Sequence, residues 1–228
     1  MLRRSAAFLP RRWRLPIVAY VDLLQGAEPE CRWLRRIGPC RGIAIDVGAN
    51  YGIYSYALSK LYLRVVAFEP NPKAAQLLQS WNSPKVDLVQ TALSSRAGSS
   101  ILYVPLNNGF EVSGWGSLDR DNCPGAVDFA KLEVHLRTLD SFELSDVGFI
   151  KIDVEGHELQ VLQGAAETIA RCKPNLLVEV RQNETGVHAL MKSWGYEACR
   201  LDDLAGVCGS PVNVIFRPRV TANSTHGF

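Results

Sequence analysis

The sequence predicts an α/β domain built on a central, mostly parallel sheet flanked by helices, and three observations carry that expectation. Short apolar runs alternate with helix-length segments at roughly 20–25-residue spacing, the rhythm of βαβ units. The runs are apolar throughout rather than alternating with polar residues, as suits strands covered on both faces. The chain has 228 residues, 47% of them hydrophobic and 21% charged, enough for a full core in one domain without disulfides or metals.

Taken in order, the first strand is expected at residues 42–48 and a helix at 51–60. A second strand over 65–69 is stopped by Pro70 and Pro72, and a helix over 73–81 leads to a third strand at 86–92. The middle breaks the rhythm. Residues 100–104 and 132–136 are β-rich, an insertion before the fourth strand, and the Gly-, Asn-, Ser- and Asp-rich stretch 107–128 between them reads as a lid over a site. Alternation then resumes with a strand at 148–153, a helix at 158–171 broken near Gly164, a strand at 175–180, a helix at 184–194, and strands at 196–201 and 212–216. The expected organisation is a basic, partly helical extension over 1–41, a domain over 42–218 and a polar tail over 219–228.

The net charge of +2 conceals an asymmetry. Residues 1–42 hold nine arginines against three acids, a formal +6, which leaves −4 for the remainder. The extension reads as a solvated flank, and the small net charge offers no strong case for a nucleic-acid partner. Six cysteines without a CxxC pair, and no apolar run near the roughly 18 residues of a membrane span, fit a cytoplasmic protein.

The chemistry concentrates at two strand ends. Asp46-Val47-Gly48-Ala49-Asn50-Tyr51-Gly52 lies where the first strand becomes the first helix, the place where open α/β sheets bind ligands. Gly48 permits a tight turn, and the helix start favours an anionic group. Glu69 ends the second strand, 23 residues after Asp46, where an acid accepts both hydroxyls of a ribose. The dinucleotide fingerprint asks for a second glycine where Asn50 stands, and no GxxxxGK[ST] occurs. An adenosine compound bearing a carboxylate, S-adenosylmethionine, needs no pyrophosphate channel and tolerates Asn50.

These segments resemble the first two motifs of class I S-adenosylmethionine-dependent methyltransferases, in the form typical of the FkbM family. The most specific likeness is Asp153-Val154-Glu155-Gly156-His157-Glu158, after Phe149-Ile150-Lys151-Ile152 and before Val161-Leu162-Gln163-Gly164-Ala165. Thr138-Leu139-Asp140 belongs to the same pattern, and the likeness runs from about Gly42 to Pro218. It implies a Rossmann-like, seven-stranded sheet with one antiparallel strand near the end, and an O-methyltransferase acting on hydroxyls of sugars, glycans or secondary metabolites. It further implies that Asp46, Gly48, Asn50 and Gly52 frame the methionine half of the cofactor, with Glu69 on the ribose, Asn71 close by and Ala92 beside the adenine.

Methyl transfer from a sulfonium is an in-line displacement that depends mainly on alignment, with a positioned base adding roughly 10²–10⁴-fold. Asp153, Glu155 and His157 are the candidates for that base, with Glu158 either in the cluster or in the first turn of the following helix. No second cluster with ligand spacing accompanies them, so no metal is expected. Glu179 sits at the same sheet edge, and Trp115 offers a stacking surface for a sugar within the lid. Two other functions remain open from the residues alone, an NAD-type oxidoreductase and a non-catalytic cofactor- or glycan-binding module.

Overall fold

The computed structural model describes residues 8–26, 28–123, 125–181, 185–200 and 213–219. The first seven residues of the basic extension, the tail beyond Arg219, the start of the helix expected at 184 and the end of the strand expected at 196–201 lie outside them, as does Val212.

The first elements among the described residues are α1 (Arg11–Leu24), a 3₁₀ turn over Pro29–Trp33 and α2 (Leu34–Ile37). The alternating body follows as β1 (Ile43–Val47), α3 (Ile53–Ser59), β2 (Arg64–Phe68), α4 (Pro72–Trp81) and β3 (Val86–Val89). The insertion comprises β4 (Ala92–Leu93), β5 (Gly98–Asn107), β6 (Phe110–Glu111) and β7 (Phe129–Arg137). The alternation then returns with β8 (Val147–Ile152), α5 (Glu158–Gln163), α6 (Ala166–Cys172), β9 (Asn175–Glu179), α7 (Thr185–Ser193), β10 (Tyr196–Arg200) and β11 (Asn213–Pro218).

Seven strands form one sheet in the order β10-β11-β9-β8-β1-β2-β3, and the insertion forms a second sheet, β4-β7-β5-β6. In the large sheet β1 pairs in parallel with β2 and β8, β3 with β2 and β9 with β8, while β11 runs antiparallel to β9 and β10. The Rossmann-like sheet with a single reversed strand is therefore present. Strand order reverses between β1 and β8, so a crevice opens at their carboxyl ends.

The side-chain alternation of the buried strands explains the layers. Ile45 and Val47 of β1 face one way with Ile150 and Ile152 of β8, against Val161 and Leu162 of α5. Ala44, Val65 and Phe149 face the other way, against Tyr54 and Leu58 of α3 and against Leu34 and Ile37 of α2. Leu15 and Ala19 of α1 pack with Ile53 and Leu78. The basic extension thus supplies core residues to two clusters and is no solvated flank. Arg11, Arg12, Arg35 and Arg36 are exposed on helices whose inner side is apolar. Among the described residues no helix is long and apolar enough to cross a membrane.

Two expectations change in detail. The third strand does not run over 86–92. It leaves the large sheet after Val89, and Ala92–Leu93 pairs with Leu136 and Arg137 of β7. Thr91 makes the corner, its hydroxyl donating to the His135 carbonyl at 2.8 Å. The lid is also more ordered than its composition indicates. Tyr103 bridges to Ser117, and 3₁₀ turns occupy Ser113–Trp115 and Arg120–Asn122. The expected helix break is real. A Cβ on Gly164 would stand 2.0 Å from the Ser94 carbonyl oxygen, so the chain passes this point only as glycine.

Candidate active site

A cleft of about 440 Å³ opens along the carboxyl ends of β1, β2 and β8, with the lid as its far wall. Gly48 makes the turn after β1 at φ +76°, and a Cβ there would lie 1.8 Å from the Asp153 carbonyl oxygen. The turn after β1 therefore packs directly on the chain leaving β8. Its amides at Gly48 and Ala49 both donate to the Phe68 carbonyl, tying it to the end of β2.

Glu69 follows Phe68 and faces this turn. Its Oε2 accepts the Asn50 N–H and its Oε1 the Asn71 N–H, each at 2.8 Å, which fixes the carboxylate with acceptor capacity left over. It is only 7% exposed. Burial raises its pKa to about 7 against the pull of those two N–H groups. Asn71 caps α4 by accepting the Lys73 N–H at 3.0 Å. The side-chain Nδ2 of Asn71 and Oδ1 of Asn50 are buried with no hydrogen-bond partner among the described residues. These atoms flank Glu69, and both residues line the cleft, as do Gly48 and Ala92.

Asp46 and Gly52 occupy other places than those the resemblance implies. Asp46 is fully buried behind the turn, where it accepts from Ser55 Oγ at 2.6 Å and lies 3.8 Å from Lys151 Nζ. Gly52 starts α3 at φ +91° and packs against Leu78, where a Cβ would come within 2.7 Å. Neither lines the cleft. Both support the turn from behind.

Lys151 joins the two halves. Its ammonium donates to the Gly48 carbonyl at 3.2 Å, lies 3.2 Å from Asp153 Oδ2, and sits 4.9 Å from the centre of the Tyr54 ring. Burial works to lower its pKa, but Asp153 and Asp46 outweigh burial and hold it above the ordinary lysine value. Burial likewise works to raise Asp153, yet Lys151 and a hydrogen bond with Glu179 bring it below the usual carboxylate range. Burial, together with the Asp153 charge, pushes Glu179 up to about 9. Of the two neighbouring acids, Glu179 is thus driven toward its protonated form and Asp153 toward its ionised form.

The remaining candidates divide. Glu155 adopts φ +57° and pairs with Arg181 Nη2 at 2.6 Å. Burial and the Asp153 charge raise it against that arginine. His157 Nε2 is 2.9 Å from Ser94 Oγ, and burial lowers the imidazole below its ordinary pKa, leaving it neutral at pH 7. Glu158 belongs to the first turn of α5. Its Oε1 accepts the Val154 and Gly156 N–H groups at 3.1 Å, so it builds the 153–158 turn. Asp153, Glu155 and His157 all line the cleft. One carboxylate oxygen each from Asp153, Glu155 and Glu179 fall within 4.8 Å of one another, a spacing open to a cation, but Lys151 and Arg181 already stand against two of them.

On the lid, Trp115 lines the cleft and is 59% exposed. The lid is tied down by Ser117 Oγ donating to the Glu155 carbonyl at 2.7 Å and by an ion pair between Lys73 and Glu111. Sequence reasoning missed Glu28, which reaches the cleft from the extension, and Arg181, just beyond β9. Neither lies in a motif, and Glu28 is one acid in a segment dominated by arginine.

The family model described as the methyltransferase FkbM domain matches residues 46–198. "Methyltransferase sdnD" from Sordaria araneosa is 27% identical over 199 residues, covering 71% of this chain and 76% of that protein. "Hexuronic acid methyltransferase AglP" from Haloferax volcanii is 27% identical over 157 residues, and the chain spans 64% of itself and 59% of AglP in that match. The crystal structure of an FkbM methyltransferase from Methylobacillus flagellatus KT aligns over 95% of this chain and 58% of its own length, with a TM-score of 0.51 at 16% identity, a likeness of fold. With more than half its residues inside the family model, the chain belongs to the FkbM methyltransferase family.

Proposed function

We propose that this protein is an S-adenosylmethionine-dependent O-methyltransferase whose acceptor is a hydroxyl of a sugar, glycan or secondary metabolite. The observation that carries the reading is Glu69, a buried carboxylate locked by two backbone N–H groups beside a glycine turn, with lone pairs left for a pair of vicinal hydroxyls. The donor set fits the cofactor. The orphaned amide groups of Asn50 and Asn71 would meet the polar edge of an adenosine, Ala92 would face its base, and the Gly48 turn leaves room for backbone approach.

S-adenosylmethionine, when bound, supplies a methyl group on a sulfonium, a centre with a good leaving group. The chain's residues then have to align the acceptor oxygen and remove its proton. Asp153 is placed for this work. Lys151, 3.2 Å from its Oδ2, favours its ionised form, and the residue lines the cleft. A weakly basic carboxylate suffices, because an oxygen becomes strongly acidic as it gains the methyl group. His157, neutral and held by Ser94, stands as a second proton acceptor at the same mouth. Glu155, paired with Arg181, shapes the turn between them. Trp115 offers a face on which a sugar ring can stack, and the similarity to a hexuronic acid methyltransferase supports an acceptor of that class.

The test is calorimetry with S-adenosylmethionine, followed by a screen of sugars, uronic acids and hydroxylated metabolites with isotopically labelled methyl donor. Binding and label in an ether product are expected. Absence of binding, or label recovered on nitrogen or in an ester, would overturn the reading.

A further inference from the structure

The two acids at the end of the basic extension have different fates. Glu30 is 1% exposed and engaged, accepting from Tyr54 Oη at 3.3 Å and from Asn213 Nδ2 at 3.0 Å. It latches the extension to α3 and β11. Glu28 stands two residues earlier, at the start of the Pro29–Trp33 turn, without capping that turn through its side chain. Its side chain lines the cleft near Tyr54 and Lys151, and among the described residues no hydrogen bond or ion pair engages its carboxylate. Chain economy does not account for it. A half-buried acid with no partner is costly to keep ionised unless a cation meets it.

The cleft does not supply that cation. Lys151 is the one lysine or arginine lining it among the described residues, and its charge is already met by Asp153 at 3.2 Å and Asp46 at 3.8 Å. This end of the cleft therefore carries more negative than positive charge. Burial raises the Glu28 pKa to about 7, with Lys151 working to lower it and Asp153 to raise it. An incoming ammonium would restore its charge.

We propose that Glu28 receives the α-ammonium group at the amino-acid end of S-adenosylmethionine, so that the basic extension forms part of the cofactor pocket. This inference rests on the reading of the cleft as a site for that cofactor. Its geometry is that of a two-ended clamp. Glu69 takes the ribose at the end of β2, and Glu28 meets the opposite end of the ligand beyond the Gly48 turn. Glu28 lies outside the span that the family model matches, residues 46–198. No bond forms or breaks at Glu28. It is a binding residue that sets where the sulfonium rests.

The test compares two probes on the full chain, S-adenosylhomocysteine, which has the α-ammonium group, and 5′-methylthioadenosine, which shares the adenosine but lacks the amino-acid end. Glu28→Gln keeps the size of the side chain and removes its charge. Isothermal calorimetry at pH 8 should show S-adenosylhomocysteine weakened about tenfold or more, as for loss of a hydrogen bond to a charged group, with 5′-methylthioadenosine within about twofold of the parent. Unchanged affinity for both probes would overturn the inference, and so would an equal loss for both, which means that the variant has merely loosened the extension. Parent protein that binds neither probe would overturn the cofactor reading itself, and with it the role of Glu28.

Discussion

The two walls of the cleft are held by different means. The wall formed by β1 and β2 is fixed by backbone: Gly48 and Ala49 donate to Phe68, Asn50 and Asn71 donate to Glu69, and Gly48 leaves no room for a Cβ against Asp153. The lid wall is fixed by side chains. An exposed ion pair, a serine hydroxyl and two 3₁₀ turns hold it, and its large apolar residues Phe110 and Trp115 are exposed. Backbone contacts constrain any sequence that makes the same turn, whereas side-chain ties can be exchanged residue by residue. The first wall thus fits a ligand shared across many proteins, and the second a ligand particular to this one.

The largest expected effect lies where the walls meet. Asp153→Asn should reduce turnover by roughly 10²–10⁴-fold while leaving cofactor affinity within a few-fold, measured by initial rates and calorimetry on the same preparation. Equal losses in both would place Asp153 on the cofactor wall and dissolve the division. Next in size, Glu69→Gln should weaken cofactor binding by an order of magnitude or more. In the parent the free Glu69 holds its proton up to about pH 7, and the ribose contact needs the carboxylate. Affinity for 5′-methylthioadenosine should therefore rise with pH through about 7 and fall by as much as tenfold per unit below it, a dependence absent from Glu69→Gln. The sign for stability is opposite. With its folded pKa raised from 4.5 to about 7, Glu69 contributes stability that is complete below the unfolded value and lost as pH rises through the folded one.

The lid gives smaller numbers. Trp115→Ala should raise the acceptor KM about three- to tenfold, the scale of one aromatic contact, with no change in cofactor affinity or melting temperature. A fall in melting temperature would show that the indole supports the lid instead of the acceptor. The smallest expected effect is that of chelation. Lys151 and Arg181 already oppose Asp153 and Glu155, so a chelator should leave activity within about twofold. Loss of activity restored by a divalent cation would instead put a metal among Asp153, Glu155 and Glu179.

How much of this was legible beforehand follows the same division. The alternation of strands and helices and the places of Gly48 and Glu69 could be read because they rest on backbone geometry, which leaves a glycine or an acid at a fixed distance from a strand end, whereas the seven-stranded sheet came from the family resemblance. The break at Gly164 was visible for the same reason. The departure of the chain from the third strand at Thr91 was not, since residues 86–92 are equally suited to one strand and the corner depends on a carbonyl in β7, forty-four residues away. Asp46 was misplaced because a motif gives position along the chain and not which side of the turn a side chain takes. Glu28 and Arg181 were invisible, because the groups they stand beside in the fold are distant in sequence and their types are common on surfaces.

The latch between Glu30 and Asn213 spans 183 residues. It is joined by Arg217 donating to the Arg36 carbonyl and by Asn175 donating to that of Ile37. The extension is synthesised before β11, so it must wait for that strand before it can seat. Until then Leu34 and Ile37 lack much of their cover, and the nascent chain carries an unfinished apolar face on strongly basic helices. A cofactor pocket that includes Glu28, as proposed above, would then be complete only once β11 is in place.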